Sequence, residues 1–238
     1  MIPIHFGLGE SPLYGVLHPG VEPRRRHGVL ILGPWGWEAI RAHRTLRDLA
    51  DRFSEVGFDA FRFDYSGSGD SFGTHAEASA AAWLADSEMA MDELIAIAGV
   101  SQISLVGLRL GGLFAAELAS RHPGRVRRVA LWEPALSPRD FLQWMEESSV
   151  SEASAFPVSS RFRRELEDMG AAHLKDFKGD VLTISERPIS LELSRAQSVS
   201  HIASESPLPP CWREDRDHGA GAVPVDLLKE VQEWFCEH

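Results

Sequence analysis

The stretch Val106-Gly107-Leu108-Arg109-Leu110-Gly111-Gly112 constrains the fold of this chain more than any other. A β-branched and aliphatic run, Ile103 to Leu108, leads into it, and an alanine- and leucine-rich segment, Leu110 to Ser120, leads out. Extended residues, a tight glycine turn and helix formers, in that order, predict strand, turn and helix. Gly107 and Gly111 let the backbone turn sharply, which pushes residue 109 out above the strand end at the helix N-terminus. That residue is arginine. Its guanidinium stays protonated, offers only donors and has no lone pair, so it can neither attack a carbonyl nor take a proton. It can hold an anion. A cation at the positive end of the helix starting at Leu110 is unfavourable by a few tenths to ~1 kcal/mol. A compensating negative charge is therefore expected beside Arg109, from a carboxylate such as Glu133 or Glu186 or from a ligand.

The rest of the chain repeats the same rhythm. Met1 to His18 predicts two short strands around the turn Gly7 to Pro12. Gly28-Val29-Leu30-Ile31-Leu32 is an unbroken apolar run, as expected of a strand covered on both faces. It ends in Gly33-Pro34-Trp35-Gly36-Trp37. A helix follows from about Glu38 to Val56, closed by Gly57. Phe58 to Phe63 reads as a strand running into the loop Asp64-Tyr65-Ser66-Gly67-Ser68-Gly69-Asp70-Ser71. A long helix is expected from about Ala76 to Ala98, and Val126 to Trp132 is the strand after the central helix. The alternation of strands and helices predicts an α/β fold with a mostly parallel sheet of about eight strands. Between Ser137 and Gly179 the rhythm breaks. Phe141 to Met145, including Trp144, reads as a short amphipathic helix, Ser148 to Ser160 as a serine-rich loop, and Arg161 to Met169 as helix. Val181 to Ser185 resumes the sheet, Pro207 to Trp212 leads to a last short strand, and Val223 to Phe235 closes the chain as a helix. The expected division is a core over 1–136 and 180–238 with a small insertion over 137–179.

Composition narrows the partners. The 238 residues carry 24 basic and 35 acidic side chains, a formal net charge of −11, which argues against nucleic acid and anionic membranes. Two cysteines, Cys211 and Cys236, make no disulfide framework. The N-terminus shows no basic region followed by an apolar core, and no run is long enough to span a bilayer. A cytoplasmic location is the default expectation. There is no phosphate-binding loop and no dinucleotide fingerprint, so no cofactor is expected. Glu214, Asp215, Asp217 and His218 are dense but match no strong metal-ligand spacing, and no metal is expected either.

Four features together resemble the α/β-hydrolases of the serine aminopeptidase-like branch: Gly33-Pro34-Trp35, Phe63 to Ser71, the Gly107-x-Arg109-x-Gly111 turn, and His218 before the final helix. In more detail, Gly107 to Gly111, Phe156-Pro157-Val158-Ser159 and Pro209-Pro210-Cys211-Trp212 resemble the exosortase-system-associated hydrolase-like proteins, in which arginine is frequent at this turn. The resemblance implies an α/β-hydrolase fold with 137–179 as a small helical cap. It implies that residue 109 stands where a serine, cysteine or aspartate nucleophile would, with His218 as the triad imidazole. Its acid would follow the strand at Val181 to Ser185, where Glu186 is nearest, although the usual aspartate is missing from Arg187 to Ser190; Glu133, at the end of the preceding strand, is the rival. The oxyanion hole would use the main-chain N–H groups of Trp35 and Leu110, and Trp35, Trp37, Arg109 and Trp144 would contact substrate. Ser66, Ser68, Ser71 and Cys211 are weak substitutes for the nucleophile.

Three functions fit these residues. The first is a lyase or other acyl-handling enzyme in which His218 moves a proton and Arg109 holds a carboxylate. The second is water-mediated hydrolysis of an ester, thioester or amide. The third is a non-catalytic module that binds an anionic ligand or a biosynthetic partner protein. The first two take a small acyl or carboxylate-bearing substrate, and the sequence favours an enzyme over a module. A cleft open to Arg109 would favour either enzyme, and a cleft filled by an arginine–glutamate pair and cap side chains would favour the module.

Overall fold

The computed structural model describes residues 1–7, 9–135, 137–147, 156–171, 174–189, 191, 193, 195–204, 212 and 221–237. Its strands are β1 (Ile2–Phe6), β2 (Leu13–His18), β3 (Gly28–Leu32), β4 (Asp59–Phe63), β5 (Ile103–Leu108), β6 (Val126–Trp132), β7 (Asp180–Ser185) and β8 (Ser198–Ala203). The helices are α1 (Gly36–Glu55), α2 (Ala80–Ala98), α3 (Leu110–Arg121), α4 (Pro138–Glu147), α5 (Ser160–Met169) and α6 (Val225–Glu237). One sheet runs in the order β1-β2-β4-β3-β5-β6-β7-β8. β1 and β2 pair antiparallel, β2 joins β4 antiparallel, and every other pairing is parallel.

Alternation along the central strands divides the core between the two faces. Leu30, Phe61, Leu105 and Val129 face α2 and α3, whereas Val29, Ala60, Val106 and Ala130 face α1 and α6. Both sets are covered, which is why β3 and β5 read as continuous apolar runs. Local chemistry sets the element ends. Ser79 Oγ accepts the Ala82 N–H at 3.2 Å and starts α2 there, four residues later than the sequence suggests; His75–Glu77 forms a separate 3₁₀ turn. Gly99, at φ 63°, ends α2. Ser159 Oγ caps α5 through the Phe162 N–H at 3.0 Å.

The last described strand, β8, precedes the prolines at 207–210 and has no counterpart among the expected strands. It pairs with β7 from Ser198 to Ala203, and its alternating half-buried and exposed residues mark it as an edge. The expected strand after Trp212 lies outside the described residues. Between β6 and β7, α4 and α5 pack on each other, and α5 also packs on α2. Phe162 of α5 reaches Trp35 and Trp83, with ring centroids at 4.5 and 5.7 Å. Among the described residues, no helix is long and apolar enough to cross a membrane.

Candidate functional site

The end of β5 runs straight into α3 through Arg109, which adopts φ 55° and ψ −117°, a conformation that L side chains rarely take. The turn is held by main-chain bonds: the Arg109 N–H donates to Trp132 O at 3.0 Å, and its carbonyl accepts from Gly112 at 2.9 Å and Ala135 at 3.0 Å. The flanking glycines are required by contact. A Cβ on Gly111 would strike the Leu32 carbonyl oxygen, and one on Gly107 would strike that of Gly111. Helix, strand and the loop after β3 thus touch through bare backbone, and the side chain at 109 is the group they project.

The charge that meets Arg109 is Glu38. Arg109 Nε donates to Glu38 Oε1 at 2.8 Å, and Nη1 donates to the main-chain carbonyl of Glu133 at 3.0 Å. The guanidinium carbon lies 5.6 Å from the Trp144 ring and 5.9 Å from the Trp212 ring, so two indoles cover it. The Arg109 side chain is 18% exposed and that of Glu38 is 1% exposed. Glu38 belongs to the first turn of α1, where the helix dipole favours a carboxylate. Burial nevertheless pushes its pKa up, against the opposing pull of Arg109 and Arg41. Its Oε2 is buried without a hydrogen-bond partner among the described residues.

Neither expected carboxylate pairs with the guanidinium. Glu133, at φ 38°, turns its Oε1 to the Glu186 N–H at 3.0 Å and the Ser204 hydroxyl at 2.7 Å. It ties together the chain leaving β6, β7 and β8, and only its carbonyl reaches Arg109. Glu186 joins this tie through its backbone, with an exposed side chain. Nothing in the sequence marks Glu38, because an acid in a first helical turn ordinarily faces water. The neighbouring Trp35-Gly36-Trp37 was the available signal that this helix start is buried.

The tryptophans separate into different jobs. Trp35 is 1% exposed at the N-cap of α1 and packs against Trp83, Phe141, Phe162 and His75, so its ring is core and not a pocket wall. Trp37 packs against Phe156 and lies under the Arg41 guanidinium. Trp144 is the one expected substrate contact that lies on Arg109. Leu110 is buried as the first residue of α3, so the backbones proposed for an oxyanion hole sit at two helix starts, α1 and α3. His218, Cys211, Glu214, Asp215 and Asp217 lie outside the described residues. The glycine-serine loop is structural. Ser71 Oγ donates to the Asp64 carbonyl at 2.5 Å and accepts from the Tyr14 N–H at 2.8 Å, Asp64 Oδ2 accepts the Asp70 N–H at 3.0 Å, and the Ser66 N–H donates to Asp86. Among the described residues, no cluster of histidine, cysteine and carboxylate side chains could hold a metal.

The same architecture is found in solved structures. Est1E from Butyrivibrio proteoclasticus, bound to ferulic acid, superposes with a TM-score of 0.67 at 14% identity over 98% of both chains. Alpha/beta hydrolase domain-containing protein 10 from mouse gives 0.64 at 17% identity, over 100% of this chain and 99% of its own. Proline iminopeptidase from Mycobacterium smegmatis gives 0.61 at 15% identity, over 100% and 98%. At these identities the likeness establishes the fold alone. No curated protein matches the sequence. The family model described as serine aminopeptidase, S33, matches residues 41–180, more than half of the chain, and the protein therefore belongs to that family of α/β-hydrolases.

Proposed function

We propose that this family member forms no acyl-enzyme and works by binding: it is a hydrolase-fold protein whose nucleophile position has become a structural ion pair. One observation carries the reading. The guanidinium of Arg109 is held on Glu38 and covered by Trp144 and Trp212, where a substrate carbonyl would have to sit to meet an attacking group. An arginine already neutralised by a buried carboxylate has little electrostatic reason to recruit a ligand anion. Lysis or water-mediated hydrolysis at this corner would require the pair to open first. The described part of 137–179, α4 and α5, then acts as a cap over the corner, with Trp144 of α4 as its contact.

The test is direct. The purified protein is incubated with a fluorophosphonate probe and with p-nitrophenyl acetate and butyrate. No labelling and no turnover above buffer is the expected result, and labelling of any serine overturns it. Arg109→Ser combined with Glu38→Gln removes both halves of the pair. Recovery of weak esterase activity in that variant would show that the remaining catalytic geometry survives beneath the plug.

A second reading has one observation behind it. Glu38 is a buried carboxyl with a raised pKa and a free oxygen, the environment of a proton carrier. If it moves a proton during an elimination, Glu38→Gln abolishes that turnover while leaving ligand affinity intact.

A further inference from the structure

A cavity of about 770 Å³ lies outside the carboxyl ends of β3 and β4, between α1 and the glycine-serine loop. Open α/β sheets bind ligands in crevices at that edge, and the volume suits a small organic molecule. Gly33 backs onto Gly111 on one side and lines this cavity on the other, whereas neither Arg109 nor Glu38 lines it. Most of the wall is apolar, with Val16, Ile31, Leu46, Phe63, Tyr65 and Phe156.

The polar part centres on Arg62, half-buried in β4. Its Nε donates to His18 Nε2 at 3.1 Å and its Nη1 lies 3.3 Å from His43 Nε2. Arginine has only donors, so both imidazoles must accept and are neutral. His18 in turn gives its Nδ1 proton to Asp51 at 2.7 Å. Burial, with the neighbouring Arg62, lowers the pKa of both histidines, which keeps them in this state. Arg62 is thus fixed in orientation by two neutral rings, and among the described residues no carboxylate lies within ion-pair distance of it. Exposed Arg44, the residue after His43 on α1, also lines the cavity and forms no ion pair among the described residues. The negative groups lining the cavity are Asp64, which is occupied by the Asp70 N–H and whose pKa is raised by burial, and exposed Asp70. His75 adds a buried Nε2 with no partner among the described residues.

We propose that this cavity binds a small amphipathic monocarboxylate, its carboxylate on Arg62 and its hydrocarbon against the wall of Val16, Ile31, Leu46 and Phe156. A ligand carboxylate supplies the close counter-charge that Asp64 and Asp51, which act on Arg62 only from beyond ion-pair distance, do not. Asp64 and Asp70 disfavour a dianion, which selects a carboxylate over a phosphate. The inference rests on the reading above only in that the protein works by binding. Failure here leaves the inert elbow untouched, and fluorophosphonate labelling would leave this cavity untouched.

Octanoate is the probe, titrated by isothermal calorimetry against the full-length protein, with 1-octanol and octyl phosphate as comparisons. Octanoate is expected to bind at least tenfold more tightly than either. Arg62→Met is expected to weaken octanoate tenfold or more, and Arg44→Gln, at the exposed mouth, about threefold. Equal affinity for 1-octanol overturns the proposal, as does tighter binding of octyl phosphate or octanoate affinity unchanged in Arg62→Met. Should Arg62→Met fail to fold, the octanol comparison and Arg44→Gln still decide it.

Discussion

Two arginines stand on opposite sides of the loop after β3, and their surroundings differ in one respect. Arg109 has a buried carboxylate at 2.8 Å, a carbonyl at 3.0 Å and two indole faces. Arg62 has two neutral imidazoles and an open, largely apolar cavity. Both cations are partly withdrawn from water, and withdrawal costs free energy unless an opposite charge comes along. At Arg109 the protein supplies that charge itself, so the group acts as a clamp between α1, β6 and the start of α3. At Arg62 the nearby Asp64 and Asp51 act only from beyond ion-pair distance, and the group is left poised as a receptor. The corner at Arg109 is therefore the covered one, and the neighbouring cavity is the open one.

The largest expected effect tests whether that asymmetry is energetic as well as geometric. Glu38→Ala leaves Arg109 buried without its partner and is expected to lower the unfolding free energy by about 3 kcal/mol. Arg62→Met strands no buried charge, only the His18 ring nitrogen that accepts from its Nε, and is expected to cost about 1 kcal/mol. Urea unfolding of the two variants measures both. Comparable costs at the two positions would erase the distinction between clamp and receptor.

A smaller effect isolates the backbone of the elbow. Arg109→Ala and Arg109→Gly both lose the ion pair and the indole contacts, so their difference reports the φ 55° turn alone. Glycine accepts that conformation and alanine does not, and Arg109→Gly is expected to be the more stable by about 1 kcal/mol. Equal stability would mean that the turn relaxes once the guanidinium is gone, and that the ion pair, not the flanking strand and helix, holds it.

How much of this was visible in the sequence follows from what each feature depends on. β3, β5 and β6 could be read because both faces are buried and leave continuous apolar runs. β8 could not, because Ser198, Ser200 and His201 are what an edge strand tolerates, and its pairing with β7 is a long-range fact. The glycines around Arg109 announced the turn, and the chemistry of guanidinium announced that an anion must be near. Glu38 is 71 positions away, and only the folded chain brings the two together. Arg62 offered a fainter clue. In Asp59-Ala60-Phe61-Arg62-Phe63 it shares the Ala60 side of a strand buried on both faces, which is an uncomfortable place for a charge without a purpose.

The smallest effect is a slope with pH, and its sign decides what the Arg109–Glu38 pair contributes. Burial raises Glu38 above its ordinary 4.5, more than Arg109 lowers it. The folded protein then holds this proton more tightly than the unfolded chain does. From pH 4.5 up through the folded pKa, the folded state binds more protons, so this group's contribution to stability is full at low pH and is lost as pH rises. Glu38→Gln has no proton to lose. Its stability relative to the parent should therefore climb across that window, even though the formal ion pair is gone. Arg62→Met should slope the other way, falling relative to the parent as pH rises, because it relieves the lowering of His18 and His43 that Arg62 imposes. Unfolding free energies by urea at steps from pH 4.5 to 8 give both curves. A parent that gains on Glu38→Gln as pH rises would mean that the attraction of Arg109 outweighs desolvation. The elbow pair would then be a net source of stability, and not a buried charge tolerated for keeping the corner shut.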